Sequence, residues 1–99
     1  MLHIVNKSPL ANTALDSCLR VAQAGGEILL IEDAVYAATT GNAFEAQLRE
    51  AMGRFKIYAL QPDLEARGVA DRLIEGVSPV DYGGFVDLTT NNPNCQSWL

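Results

Sequence analysis

The chain offers two thiols and one imidazole for nucleophilic or acid–base chemistry: Cys18, Cys95 and His3. A sulfur nucleophile works as its thiolate, and a protein makes one by placing cysteine at a helix N-terminus, beside a cation or on a metal. Cys18 stands in "LDSCLRVA", where Leu15, Cys18, Leu19 and Ala22 follow the i, i+3, i+4, i+7 spacing of an apolar helix stripe. That puts it mid-helix, away from the N-terminal dipole, and neither Lys7 nor Arg20 shares its face by spacing. Free cysteine is also among the most buried residue types. The residues favour Cys18 as core filler, and leave it reactive only if the stripe faces a cleft or another subunit. Cys95 follows Pro93 in the tail, near the surface, with no activating neighbour in sequence. His3 lies on a strand and not at a loop tip, which favours a structural imidazole over a general base. With one histidine and no C-x-x-C, zinc and thioredoxin-type sites lack support.

Carboxylates form the second constellation. In a parallel sheet, ligands bind beyond the carboxyl ends of the strands. The pattern places Asn6, Lys7 and Ser8 there, then Glu32 and Asp33, Gln61 and Asp63, Asp81 and Tyr82. Four acids at one edge suit a hard cation such as magnesium, as in a phosphoacceptor domain. That chemistry also wants a basic residue after a late strand, and nothing after position 72 is basic. Asp33 and Asp63 are placed to cap helices instead, an ordinary use of acids in a first turn. No G-x-G-x-x-G or P-loop is present. We therefore assign neither a metal nor a cofactor.

The elements that position these residues follow from periodicity and punctuation. "LHIV" (2–5) reads as a strand, Asn12 as the N-cap of a helix running to about Ala24, and Gly25-Gly26 as its end. "EILLIED" (27–33) has four consecutive apolar residues, as a strand covered on both faces requires. A short helical segment follows to Gly41. Asn42 and Glu45 form a capping-box pair opening a helix through Met52. "FKIYAL" (55–60) is a third strand, Pro62 starts a helix that Gly68 ends, and "VADRLIEG" is a turn or short helix. "VSPVD" (77–81) is a fourth strand, at an edge because of Pro79. A last helix over "YGGFVDLTTNN" is weakened by Gly83 and Gly84, and Pro93 leads into a tail in which Trp98 docks on this subunit or the next. Such alternation predicts βαβ units and a mainly parallel sheet between helix layers, a small flavodoxin-like α/β sandwich, one domain over residues 1–99.

Composition narrows the function classes. Ninety-nine residues at 48% hydrophobic bury a modest core, which a partner subunit would help. Seven basic against twelve acidic residues give a net charge of −5, with no basic cluster to track phosphates, so direct nucleic-acid binding is not expected. No apolar run approaches the roughly 20 residues of a membrane span, and "MLHIVNKSP" lacks a signal-peptide pattern. We expect a soluble, cytoplasmic protein with free thiols.

Taken in order, "MLHIVNKSP", "LLIEDAVYAA", "KIYALQPDLEARG" and "VDYGGFVDLT…W" resemble the DsrH/TusB family across essentially the whole chain. The resemblance implies a DsrE-like fold and a place in a cytoplasmic α2β2γ2 hexamer with DsrE/TusD-type and DsrF/TusC-type subunits. It implies relay of persulfide sulfur, with the main accepting cysteine on the DsrE/TusD-type subunit. In the DsrEFH branch the relay serves oxidation of stored sulfur. In the TusBCD branch sulfur leaves through a DsrC/TusE-type carrier for 2-thiolation of the tRNA wobble uridine. The stretch "DSCLR" looks more like DsrH than TusB, which makes Cys18 a candidate secondary sulfur carrier. The alternative is a TusB-like architectural subunit with no catalytic residue of its own.

Overall fold

Each short apolar run becomes a strand because the helical segments between them cover its faces. The computed structural model describes residues 1–98. Its strands are β1 (Leu2–Val5), β2 (Glu27–Leu30), β3 (Lys56–Leu60), β4 (Ser78–Val80) and β5 (Cys95–Trp98). Its helices are α1 (Ala14–Val21), α2 (Glu45–Ala51), α3 (Gln61–Ala66) and α4 (Tyr82–Asn91), with 3-10 turns at Glu32–Ala38 and Ala70–Arg72. All strand pairs are parallel, in the order β4-β3-β2-β1-β5.

That order fixes the layers. From β1 to β4 the chain steps in one direction, so right-handed crossovers put all three connections on the same face. The return from β4 to β5 runs the other way and carries α4 over the opposite face. The core is accordingly lopsided. The main cluster, including Val5, Leu15, Cys18, Ile28, Leu30, Leu48, Ile57 and Leu64, fills the first face. The other face buries a smaller cluster of Leu2, Leu29 and Leu88, with Ile4, Tyr58, Val80 and Phe85 half covered. Tyr82 and Val86 of α4 remain exposed.

Local chemistry sets the boundaries. The Asn12 side chain accepts from the Ala14 amide at 2.7 Å, but α1 stops at Val21, short of Ala24, because Ala22 is already extended. Gly25, at φ +93°, then turns the chain into β2. The capping pair of α2 forms one residue out of step: Asn42 Oδ1 accepts from the Phe44 amide and Glu45 Oε1 from the Gly41 amide, both at 2.7 Å. Asp81 caps α4 through the Gly84 amide at 2.8 Å. Pro79 lies on an edge strand, as its missing donor requires. The tail, expected to dock through Trp98, does so as a fifth strand, β5, and the last residue, Leu99, lies outside the described residues. Among those residues no helix is long and apolar enough to cross a membrane.

Candidate functional site

Cys18 stands on the buried stripe of α1 between Leu15 and Leu19, inside the main core. Its exposure is 0%, and burial pushes its thiol up to about 11. Desolvation disfavours the charged form, and nothing in the fold offsets it. The candidate carrier is therefore a protonated, enclosed thiol in this subunit, whereas sulfur transfer needs a reachable thiolate. The apolar spacing had pointed to this placement. Cys95, by contrast, is exposed on β5, and neither cysteine is in a disulfide.

The carboxyl ends of the strands do bring the predicted polar residues together, but in structural work. The Asn6 amide donates to Glu32 Oε2 at 3.2 Å, and the Glu32 backbone N–H donates to Asp63 Oδ2 at 2.6 Å. The Arg67 Nε donates to Asp33 Oδ1 at 2.9 Å and its Nη1 lies 3.8 Å from Asp63 Oδ1. Asp33 and Asp63 were expected to cap helices; they hold the loop after β2 onto α3 instead. No local spacing signals that Arg67 joins them, because its tie to Asp33 spans 34 positions. Among the described residues no group of acids, cysteines or histidine is arranged to hold a metal ion.

Glu32 adopts φ +50°, the left-handed region that non-glycine residues rarely occupy. The Asp63 carboxylate on its amide helps hold that conformation. Glu32→Gly is expected to stay within about 1 kcal/mol of wild type, because relief of strain offsets the added freedom of the unfolded chain. Glu32→Val, β-branched in the same conformation, is expected to cost about 2 kcal/mol more than glycine, read from urea unfolding.

His3 and Trp98 make a third constellation. The Trp98 indole N–H donates to His3 Nδ1 at 3.0 Å, with ring centroids 6.1 Å apart. His3 is buried, and burial together with the nearby α-amine of Met1 lowers its pKa. The ring is thus neutral, and the hydrogen bond assigns its proton to Nε2. This is the satisfied structural imidazole expected from its place on a strand. Beside the pair, a pocket of about 560 Å³ opens between the end of α1 and β5, with Met1, Val21 and Gln96 also on its wall. On the thinly covered face, Glu27 accepts from the Tyr58 hydroxyl at 2.9 Å and the Asn92 amide at 2.8 Å. The Asn92 bond leads in holding the Glu27 carboxyl below its usual range, and burial leads in raising the Tyr58 phenol. These bonds tie the start of the sheet to the end of α4. Sequence reasoning missed the cluster, since its members come from three distant elements.

A family model described as DsrH-like protein matches residues 7–95. The chain belongs to this family. Across 98 residues it is 40% identical to "Protein TusB" of Escherichia coli O1:K1 / APEC, covering 99% of this chain and 100% of that protein. It is 39% identical over the same span to "Protein TusB" of Shigella flexneri, with the same coverage. Among solved structures, the ychN protein from E. coli matches with TM-score 0.79 at 19% identity, covering 97% of both chains. A protein of unknown function, MTH1491 from Methanobacterium thermoautotrophicum, matches with TM-score 0.75 at 21% identity, covering 97% of this chain and 95% of that one. Both likenesses concern the fold, a DsrE-like parallel sheet flanked by helices. Within the DsrH-like family, these relatives carry the TusB name, although the "DSCLR" stretch had pointed toward DsrH.

Proposed function

We propose that this chain is a TusB-type architectural subunit of a persulfide sulfur-relay complex that serves 2-thiolation of the tRNA wobble uridine, and that it carries no sulfur itself. Its partners in this reading are TusC- and TusD-type subunits in an α2β2γ2 hexamer in the cytoplasm. Sulfur enters and leaves through the TusD-type cysteine and a TusE-type carrier. The observation that carries the reading is the enclosure of Cys18 in the core, beside full-length similarity to proteins named TusB. What the chain contributes is shape: a sheet with one thickly covered face, one thinly covered face and an open edge for neighbours.

The rival reading is a DsrEFH-type complex for oxidation of stored sulfur, with Cys18 as secondary carrier. It requires α1 to part from the core, so that the Cys18 sulfur can attack a persulfide. One experiment separates the two. The chain is co-purified with its partner subunits, treated with a persulfide donor and weighed intact, beside Cys18→Ala and Cys95→Ser versions. The expected result is sulfur on the TusD-type subunit, none at Cys18, and unchanged transfer in the Cys18→Ala complex. Added sulfur on this chain that disappears in Cys18→Ala alone would overturn the proposal.

A further inference from the structure

The two edges of the sheet are guarded differently. An edge strand exposes unpaired N–H and C=O groups, and proteins blunt such edges with proline, charge or a bulge. At one edge, β4 contains Pro79. At the other, β5 reads Cys95-Gln96-Ser97-Trp98, with neither proline nor charge, and no charged residue occurs from Leu88 to Trp98.

The hydrogen-bond register shows what that edge presents. Leu2 pairs with Cys95 and its N–H donates to the Asn94 carbonyl at 3.0 Å. In a parallel ladder this turns the N–H and C=O of Gln96 and Trp98 toward β1, and those of Cys95 and Ser97 outward. Outward groups two residues apart are self-complementary under a two-fold axis perpendicular to the sheet. Antiparallel pairing then sets Gln96 opposite the partner's Gln96 on the axis and Cys95 opposite the partner's Ser97 on each side. Each Cys95–Ser97 pair exchanges two backbone hydrogen bonds, and opposed side chains fall on the same face, as pairing demands.

We propose that β5 is an interface at which a second copy of this chain pairs edge to edge, continuing the sheet from one copy to the next. Two observations besides the bare edge select a second copy. The chain carries a net charge of −5, so copies repel over most of their surface, and the stretch from Leu88 to Trp98, with no charged side chain, is where they can approach. Beside β5, Met1 and Val21 are 52% and 66% exposed on the pocket wall next to Gln96 and Trp98, which supplies apolar area to a contact that four residues alone would leave small. The inference does not depend on the sulfur-relay reading.

The test uses the whole chain alone, in sedimentation equilibrium across a concentration series. Wild type is expected to form a dimer. Ser97→Pro removes the outward donor while leaving the β1 ladder intact, and is expected to raise the dimer dissociation constant about tenfold or more. Unchanged Trp98 fluorescence and circular dichroism in that variant show that β5 still folds. Amide exchange adds a second readout, with the Ser97 N–H slow in concentrated wild type and fast on dilution. A wild-type chain that stays monomeric at its highest soluble concentration, or a dimer indifferent to Ser97→Pro, overturns the proposal. So does an edge protected only when a different subunit is added.

Discussion

Trp98→Ala is expected to destabilise the chain by about 3 kcal/mol and to detach the end of β5 from the sheet, measured by urea unfolding and by amide exchange in β1. Two effects add. The indole packs against the main core although it is only half buried, so its removal costs less than the upper range for a tryptophan. It also leaves His3 Nδ1 without its donor in a buried position, a further loss of order 1 kcal/mol. Trp98→Phe keeps most of the packing and removes the donor, so its loss relative to wild type reads the hydrogen bond, and the difference between the two variants reads the packing.

The same contact predicts a pH response. A protonated His3 carries hydrogens on both nitrogens and cannot accept from Trp98. The folded-state pKa of His3 lies below its ordinary value of 6.5, so the unfolded chain takes up the proton first as pH falls. Stability from the neutral ring is fully present above 6.5 and is lost as pH drops through the lower folded-state value. The chain has one tryptophan and one histidine, which makes the event observable without labels. Trp98 emission is expected to titrate with a midpoint below 6.5. The transition disappears in His3→Gln, whose amide oxygen can still accept from the indole. An unchanged titration in that variant would assign it to other groups.

The contrast between β2 and β5 shows how much of this fold was legible. "EILLIED" announces itself because a strand covered on both faces needs consecutive apolar residues, and Ile28, Leu29 and Leu30 are all fully buried. "CQSW" announces nothing. Both faces of β5 are largely open, so no hydrophobic pattern was required, and what holds it is a ladder to β1 and one indole–imidazole bond. Hydrogen bonds of that kind leave no period in a sequence. The docking of Trp98 was readable from its apolar bulk; its partner was not. The candidate site divides in the same way. The spacing of Leu15, Cys18 and Leu19 encoded burial of the thiol directly. The acids after β2 and β3 were correctly gathered at one edge, yet their tie to Arg67 depends on how α3 lies against the preceding turn, which only the folded chain specifies.

Alkaline titration offers the sharpest reading of Cys18 in the subunit itself. In the unfolded chain the thiol ionises near 9.0, whereas burial holds it protonated up to about 11 in the fold. The folded pKa is raised, so this contribution is complete below pH 9 and is lost as pH rises toward 11, because the unfolded state releases its proton first. Over that window wild type is expected to lose about 2 kcal/mol relative to Cys18→Ala, which has no thiol to ionise. Below pH 9 the order reverses: the alanine variant is less stable by about 1 kcal/mol for the lost sulfur packing. A crossing of the two stability curves between pH 9 and 11 is thus the signature of a buried, inert thiol. Cys18→Asp sets the other limit, since it forces a carboxyl into the same apolar stripe and is expected to cost more than about 3 kcal/mol at neutral pH. Curves for wild type and Cys18→Ala that run parallel through pH 11 would mean that the thiol ionises equally in both states. It would then be open to solvent in the native subunit and free to take part in sulfur transfer.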